Sequence, residues 1–352
     1  MVFFCAIICP FFTSLWSQLR NMLSRQLSGQ IDTSNNRAMN ITLPTPASPF
    51  NIGTRGSPLA LAQAHETRAR LMAAFDLPQD AFAIVVIKVM GDAIQDRALK
   101  DIGGKGLFTR EIEDALLDGS IDIAVHSMKD MPVEQPSGLL LDTYLPREDV
   151  RDAFVSLTAR GLDDLEHGAT VGTSSLRRRS QLLVRRPDLN VVEFRGNVQT
   201  RLMKLGNGVA EATFLAMAGL NRLNMTDVPR TAIAPEDMLP AIAQGAIGIE
   251  RRADDSRAAA MLEAIHHGPT GQRLAAERSF LAHLDGSCQT PIGGLADLDG
   301  GTLRLRGEIL RTDGSQVLAD DMIGAIADGA DMGREMAVKL LEKAGPGFFD
   351  HM

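Results

Sequence analysis

Three places in this sequence bring cationic and hydroxyl side chains to the point where an apolar strand pattern gives way to a helix pattern. Arg55 and Ser57 follow the short strand pattern at 50–53, Ser174 through Arg178 follow residues 170–172, and Arg195, with Arg201 beyond it, follows residues 191–194. Ligands of open parallel sheets bind off the carboxyl ends of the strands. Helix N-termini there present unpaired N–H groups and a partial positive charge, and a guanidinium adds a two-pronged grip on carboxylate or phosphate. Any one such arginine can be explained by a neighbouring surface acid. Arg55, Arg177, Arg178, Arg195 and Arg201 at equivalent topological positions call for a ligand carrying several negative charges.

Two further groups can react as well as bind. Lys129-Asp130 follows a buried-strand pattern at 121–125 through His126, Ser127 and Met128. A carboxylate placed there can shuttle a proton or stabilise a transient cation, with a plain Lys129–Asp130 salt bridge as the competing reading. Cys288 lies in a loop among Gly286, Ser287, Gln289 and Pro291. A lone cysteine is commonly an inert core residue, but this polar, turn-rich setting favours reaction. Gly103-Gly104-Lys105-Gly106 can approach an anion through its backbone and lysine, yet it lacks the spacing of a nucleotide-binding loop.

The elements that must position these groups alternate strand and helix from residue 50 onward, the pattern of an α/β fold. Ser57 and Pro58 supply an N-cap and a first helical residue, with Leu61, Ala64, Leu71, Met72 and Phe75 at helical spacing. Residues 82–89 form an apolar run, expected as a strand buried on both faces. A helix is expected over 107–117, stopped at Gly119. Polar residues 146–152 mark a crossover to a second strand–helix unit, and 244–249 read as a strand returning to the first. Beyond His266 come a helix at 272–284, a strand whose Leu303, Leu305 and Gly307 alternate with Arg304 and Arg306 on a wet face, and a hairpin turn at Asp313-Gly314. A last helix stops at Gly345-Pro346. The domains expected are 49–145 with 246–263, 151–239, and a small α+β unit at 268–348. Residues 1–45 read as an extension, disordered or upstream of the true start. Its apolar stretch at 2–12 is too short to span a bilayer and has neither the basic flank nor the cleavage site of a secretion signal.

Composition narrows the function classes. The 45% apolar and 23% charged residues are those of a globular protein. A net charge of −8 argues against general affinity for nucleic acid or an anionic membrane, so the local arginine clusters stand out. Three cysteines without a Cys-x-x-Cys pair give no disulfide framework and point to a reducing, cytoplasmic compartment. The seven histidines show no zinc-type spacing, and no metal is expected.

Taken together the motifs resemble one family. Residues 54–60 (TRGSPLA), 102–108, 124–132 (AVHSMKDMP), 171–178 (VGTSSLRR), 194–197, 244–250 and 286–293 occur in the order found in porphobilinogen deaminases. The resemblance runs from about residue 51 to the end of the chain. It implies two α/β domains like those of periplasmic binding proteins plus a small α+β domain bearing the cysteine. By position, Cys288 would hold a dipyrromethane cofactor through a thioether, and Asp130 would be the catalytic aspartate. Arg55, Ser57, Lys129, Arg177, Arg178, Arg195 and Arg201 would hold cofactor and substrate carboxylates, joined by Ser127, Thr173, Ser175 and Gln244. Lys105 would sit on a loop covering the cleft. The implied activity is a group transfer. Four porphobilinogen units, each with an acetate and a propionate, condense with loss of ammonia, and hydrolysis releases hydroxymethylbilane for tetrapyrrole and haem biosynthesis. A monomer with no macromolecular partner is expected. Met90 stands where many relatives have arginine, and Ser287 where many have glycine. A binding protein for an anionic solute would share the two larger domains, but it calls for a secretion signal and gives Cys288 no role.

Overall fold

Local capping decides where the first helix begins. Ser57 Oγ accepts from the Ala60 amide (3.3 Å), so strand β1 (Phe50–Arg55) turns directly into helix α1 (Pro58–Phe75), whose first residue is a proline. The computed structural model describes residues 41–89, 109–284, 286 and 290–349. Contacts divide the chain between Thr42 and Leu43, and every element named here belongs to the part beginning at Leu43.

Strand β2 (Phe82–Ile87), helix α2 (Arg110–Leu117), β3 (Ile123–Ser127) and β4 (Leu139–Tyr144) complete a first run. A second run follows: β5 (Asp152–Ser156), β6 (Thr170–Gly172), α3 (Leu176–Arg185), β7 (Asn190–Val192), α4 (Val198–Gly206), β8 (Ala212–Ala216), α5 (Met217–Arg222) and β9 (Arg230–Ala232). The chain returns into β10 (Ile247–Arg252) and α6 (Ser256–Glu263). It ends with α7 (Gly268–His283), β11 (Ile292–Asp299), β12 (Thr302–Leu310), β13 (Val317–Ala325) and α8 (Gly329–Ala344).

The first two runs build sheets of one plan, β2-β1-β3-β10-β4 and β7-β6-β8-β5-β9. In each, the fourth strand arrives by a crossover from the other lobe and runs antiparallel to both neighbours. The two lobes thus share one α/β plan, and a small antiparallel α+β domain is appended. Period-two alternation fills both faces of the second sheet: Ala153 and Val155 of β5 pack with Phe194 and Leu215, while Phe154 packs with Val171 and Phe214. In the third domain Leu303, Leu305 and Ile309 of β12 meet Phe280, Met336 and Leu340 of the two helices. Arg304 lies on the opposite, exposed face.

One sequence expectation fails. Residues 82–89, whose apolar run with the single Lys88 marks a strand buried on both faces, give a strand that ends at Ile87 and, among the described residues, pairs only with β1, leaving Val86 51% exposed. The helix expected from 107 is described from Arg110 onward; Leu107 and Phe108 lie outside the described residues.

Both crossovers meet the third domain at Glu277 of α7. Its buried carboxylate accepts from Arg147 Nη1 (2.6 Å) and Nη2 (3.0 Å), from the Ala243 amide (2.7 Å) and from the Ala296 amide (2.8 Å). Arg147 Nε donates to Gln244 O (2.9 Å), joining the outgoing connection to the returning one. Gly245 is the residue that lets them touch: its φ is +85°, and a Cβ there would lie 2.5 Å from Glu148 O. Removing one member of a buried ion pair strands the other. Arg147→Met should therefore lower stability by about 3–5 kcal/mol, read as an earlier urea midpoint; an unchanged midpoint would show that Glu277 does not need its partner.

Candidate active site

The strand ends of both lobes carry the residues that the motifs single out. Strand β3 runs into one turn of 3-10 helix, Met128–Asp130, with Lys129 half-buried and Asp130 exposed. Ser127 is fixed by a reciprocal pair with Gln63 of α1, with Nε2 donating to Oγ at 2.8 Å and Oγ to Oε1 at 3.1 Å. Arg55 is half-buried at the end of β1, just before the Ser57 cap. In the second lobe Thr173 Oγ1 accepts from the Ser175 amide (3.2 Å), and Ser175 Oγ caps α3 by accepting from Arg178 N (3.4 Å). Arg195 follows β7 and lies 3.7 Å from Glu193. Arg201, on α4, donates from Nε to Gly196 O (3.0 Å) and forms no ion pair among the described residues.

Arg177 and Arg178 are both buried. Arg177 Nη1 donates to Asp152 Oδ2 (2.8 Å), Gln181 Oε1 (2.9 Å) and Leu239 O (2.9 Å), while its Nε is buried with no partner. Arg178 donates from Nη2 (2.6 Å) and Nε (3.1 Å) to Asp152 Oδ1 and from Nη1 to Phe214 O (2.8 Å). Gln244, on the return crossover, donates to Val150 O (2.8 Å) and Asp152 Oδ1 (3.1 Å). Lys105 and Cys288 lie outside the described residues, as do Met90 and Ser287; Gly286 and Thr290 bracket the cysteine.

Charge links the lobes. Burial pulls the Lys129 ammonium down to about 8, with Arg178 and Arg177 pushing the same way and Asp130 and Asp152 opposing. Burial also brings Arg201 down to about 10, helped by Arg178 and Arg195 and resisted by Glu193 and Asp130. The Lys129–Asp130 salt bridge, the bland alternative for this dipeptide, is not formed. The arrangement is thus a set of partly desolvated cations facing one exposed carboxylate. An anionic ligand with several carboxylates would supply the charge that the protein leaves unsupplied. A dipyrromethane with its acetate and propionate groups is such a ligand, and the orphaned Arg177 Nε and the unpaired end of Arg201 suit it.

Comparison with known proteins follows this chemistry. A family model described as "Porphobilinogen deaminase, dipyromethane cofactor binding domain" matches residues 50–260, and one for the "Porphobilinogen deaminase, C-terminal domain" matches 272–342. The chain belongs to the porphobilinogen deaminase family. Porphobilinogen deaminase of Paracoccus denitrificans is 66% identical over 308 residues, 88% of this chain and 98% of that one. The chloroplastic porphobilinogen deaminase of Pisum sativum is 54% identical, over 86% of this chain and 83% of its own. Among solved structures, an arginine-specific periplasmic binding protein of Salmonella typhimurium aligns at 14% identity and a TM-score of 0.35, covering 62% of this chain and 89% of that one.

Sequence reasoning missed two contributors that the structure brings to this deaminase fold. Asp152 holds two of the arginines, and its only signal was a place at the end of a polar crossover. Arg222, on α5, bridges the lobes through Glu66 (3.3 Å) and Gly245 O (3.0 Å). An ammonium held down at about 8 can pair with a carboxylate only while it keeps its proton. Affinity for the family's substrate, porphobilinogen, should fall as pH rises through about 8, where the ammonium loses its proton, and not only near the ordinary lysine value. Lys129→Arg should carry that limit to higher pH in a pH–KM profile; a profile unchanged by the substitution would remove Lys129 from the grip.

Proposed function

We propose that this chain is the transferase that assembles hydroxymethylbilane from four porphobilinogen units, working as a cytoplasmic monomer. The observation that carries the reading is the convergence of Lys129 and Asp130 from one lobe with Arg178 and Arg201 from the other. When bound, a dipyrromethane attached by a thioether to Cys288 supplies the pyrrole end on which the units are assembled.

The protein's own groups divide the remaining work. Arg55, Lys129, Arg195 and Arg201, with Arg177 and Arg178 adding their charge, take up acetate and propionate groups, which accumulate at two carboxylates per ring. Ser57 and Ser175 cap the helices whose N-terminal N–H groups face the same ligand. Ser127, Thr173 and Gln244 hold the strand ends in register and offer further polar contacts, and Lys105 adds a cation over the cleft. Loss of ammonia from porphobilinogen leaves an electron-poor, cationic pyrrole. The Asp130 carboxylate stabilises that charge and takes the proton from the carbon that has formed the new bond.

Two measurements test the assignment. The intact mass of protein from cells able to make porphobilinogen should exceed the polypeptide mass by a dipyrrole, and acid with Ehrlich's reagent should turn it red. Cys288→Ser should show the bare mass and no bilane formation; normal bilane production by that variant would overturn the anchoring role. Asp130→Asn should keep the dipyrrole yet lose turnover by about 100–10,000-fold, the scale of a removed proton-transfer group. Full turnover would take Asp130 out of the mechanism.

A further inference from the structure

The first residue of β5, Asp152, is fully buried, and no motif of the sequence draws attention to it. Four donors converge on its carboxylate: Arg177 Nη1 at 2.8 Å on Oδ2, and Arg178 Nη2 at 2.6 Å, Arg178 Nε at 3.1 Å and Gln244 Nε2 at 3.1 Å on Oδ1. The first three come from the helix that opens onto the cleft, and the fourth comes from the return crossover. Burial opposes the charge on Asp152, but Arg177 and Arg178 outweigh it and hold the carboxyl well below the usual carboxylate range. In the other lobe Lys129 experiences Asp152 as an attraction set against Arg178 and Arg177.

Two guanidinium groups this close repel each other, and a planar carboxylate between them fixes the direction of each fork. The fixing is not a matter of pairing every donor, because Arg177 Nε and Gln244 Oε1 stay buried without partners. Two positive charges against one negative leave a net positive charge facing the ligand.

We propose that Asp152 is a positioning residue for the condensation of porphobilinogen: its carboxylate aims Arg177 and Arg178 at the ligand carboxylates and supplies the negative charge that balances them opposite Lys129. This rests on the functional reading above. An amide at this place presents a donor to one arginine and no charge to either, so both guanidinium groups turn and substrate carboxylates meet misaligned partners. Lys129 also loses an attraction. Among the described residues the charges it then faces are Asp130 on its own turn and Arg177 and Arg178 across the cleft, so it releases its proton at lower pH.

The test compares wild-type protein with Asp152→Asn after the intact mass of each has been measured. KM for porphobilinogen should rise by about 10–100-fold, the scale found for groups that orient ligands from behind, with a smaller change in kcat. The alkaline limb of kcat/KM should move to lower pH. A merely structural role would reduce the yield of folded protein and leave both properties of the folded fraction unchanged; that result, with the dipyrrole mass present, overturns the proposal. A wild-type protein with no dipyrrole and no bilane formation would instead defeat the functional reading. Should Asp152→Asn yield no soluble protein, Asp152→Glu keeps the charge and displaces it by one methylene. It should raise KM and leave the alkaline limb in place, and an unchanged KM would again overturn the proposal.

Discussion

A guanidinium or ammonium group taken out of water loses hydration that costs several kcal/mol even after the protein relaxes around it. This chain places both Lys129 and Arg201 within range of the charge on Arg178, and Lys129 within range of Arg177 as well. It meets that cost in two layers. The inner layer is neutralised in part: Arg177 and Arg178 share the single carboxylate of Asp152 and donate to the carbonyls of Leu239 and Phe214. The outer layer is not: among the described residues Arg201 has one backbone carbonyl for its Nε, and Lys129 has no partner carboxylate within bonding distance. An acidic protein of net charge −8 can therefore present a locally cationic site whose charge is completed by a polyanionic ligand. The inner layer gives that site its shape, and the outer layer gives it affinity.

The same economy of contacts fixes where the third domain can stand. Helix α7 carries Glu277, on which both crossovers close, and Arg278, whose Nη2 donates to Pro132 O (2.7 Å) and Val133 O (3.0 Å) just past Lys129-Asp130. Two consecutive residues of one helix, pointing about 100° apart, thus touch the connections between the lobes and the loop behind the exposed carboxylate. Cys288 follows the end of that helix by a few residues. The lobes are separately tied by Arg222 to Glu66.

What could be read from the sequence was what short-range chemistry decides. The cap at Ser57 depends on a side chain and an amide three residues away, and it is formed. The alternation of Leu303, Leu305, Arg304 and Arg306 depends on period two alone, and it too holds. What depends on partners distant in sequence was not legible. Residues 82–87 are apolar throughout, yet their exposure is set by lying at the sheet edge, which composition does not encode. Strand β5 lies between β8 and β9, and its first residue looked like the last charge of a polar connector until the fold brought Arg177, Arg178 and Gln244 onto it. The strand-end arginines were found because they recur at one topological position. Which of them are neutralised from within depends on a carboxylate that sequence spacing does not reveal.

The adjacent pair Lys129 and Asp130 shows how a local turn assigns opposite tasks to neighbours. In a 3-10 turn, with three residues per turn, consecutive side chains diverge by roughly 120°. Lys129 is thereby turned inward toward Arg177, Arg178 and Asp152, while Asp130 stays exposed. Had the two faced each other they would have neutralised each other, and the site would have lost both functions. A gripping cation gains from desolvation, because its attraction for a carboxylate strengthens as water is excluded. A carboxylate that accepts and passes on a proton must keep a route to solvent or substrate. The strand ends one residue before this turn, at Ser127, and Gln63 pins that residue from α1, so the divergence of the two side chains is built on a rigid base.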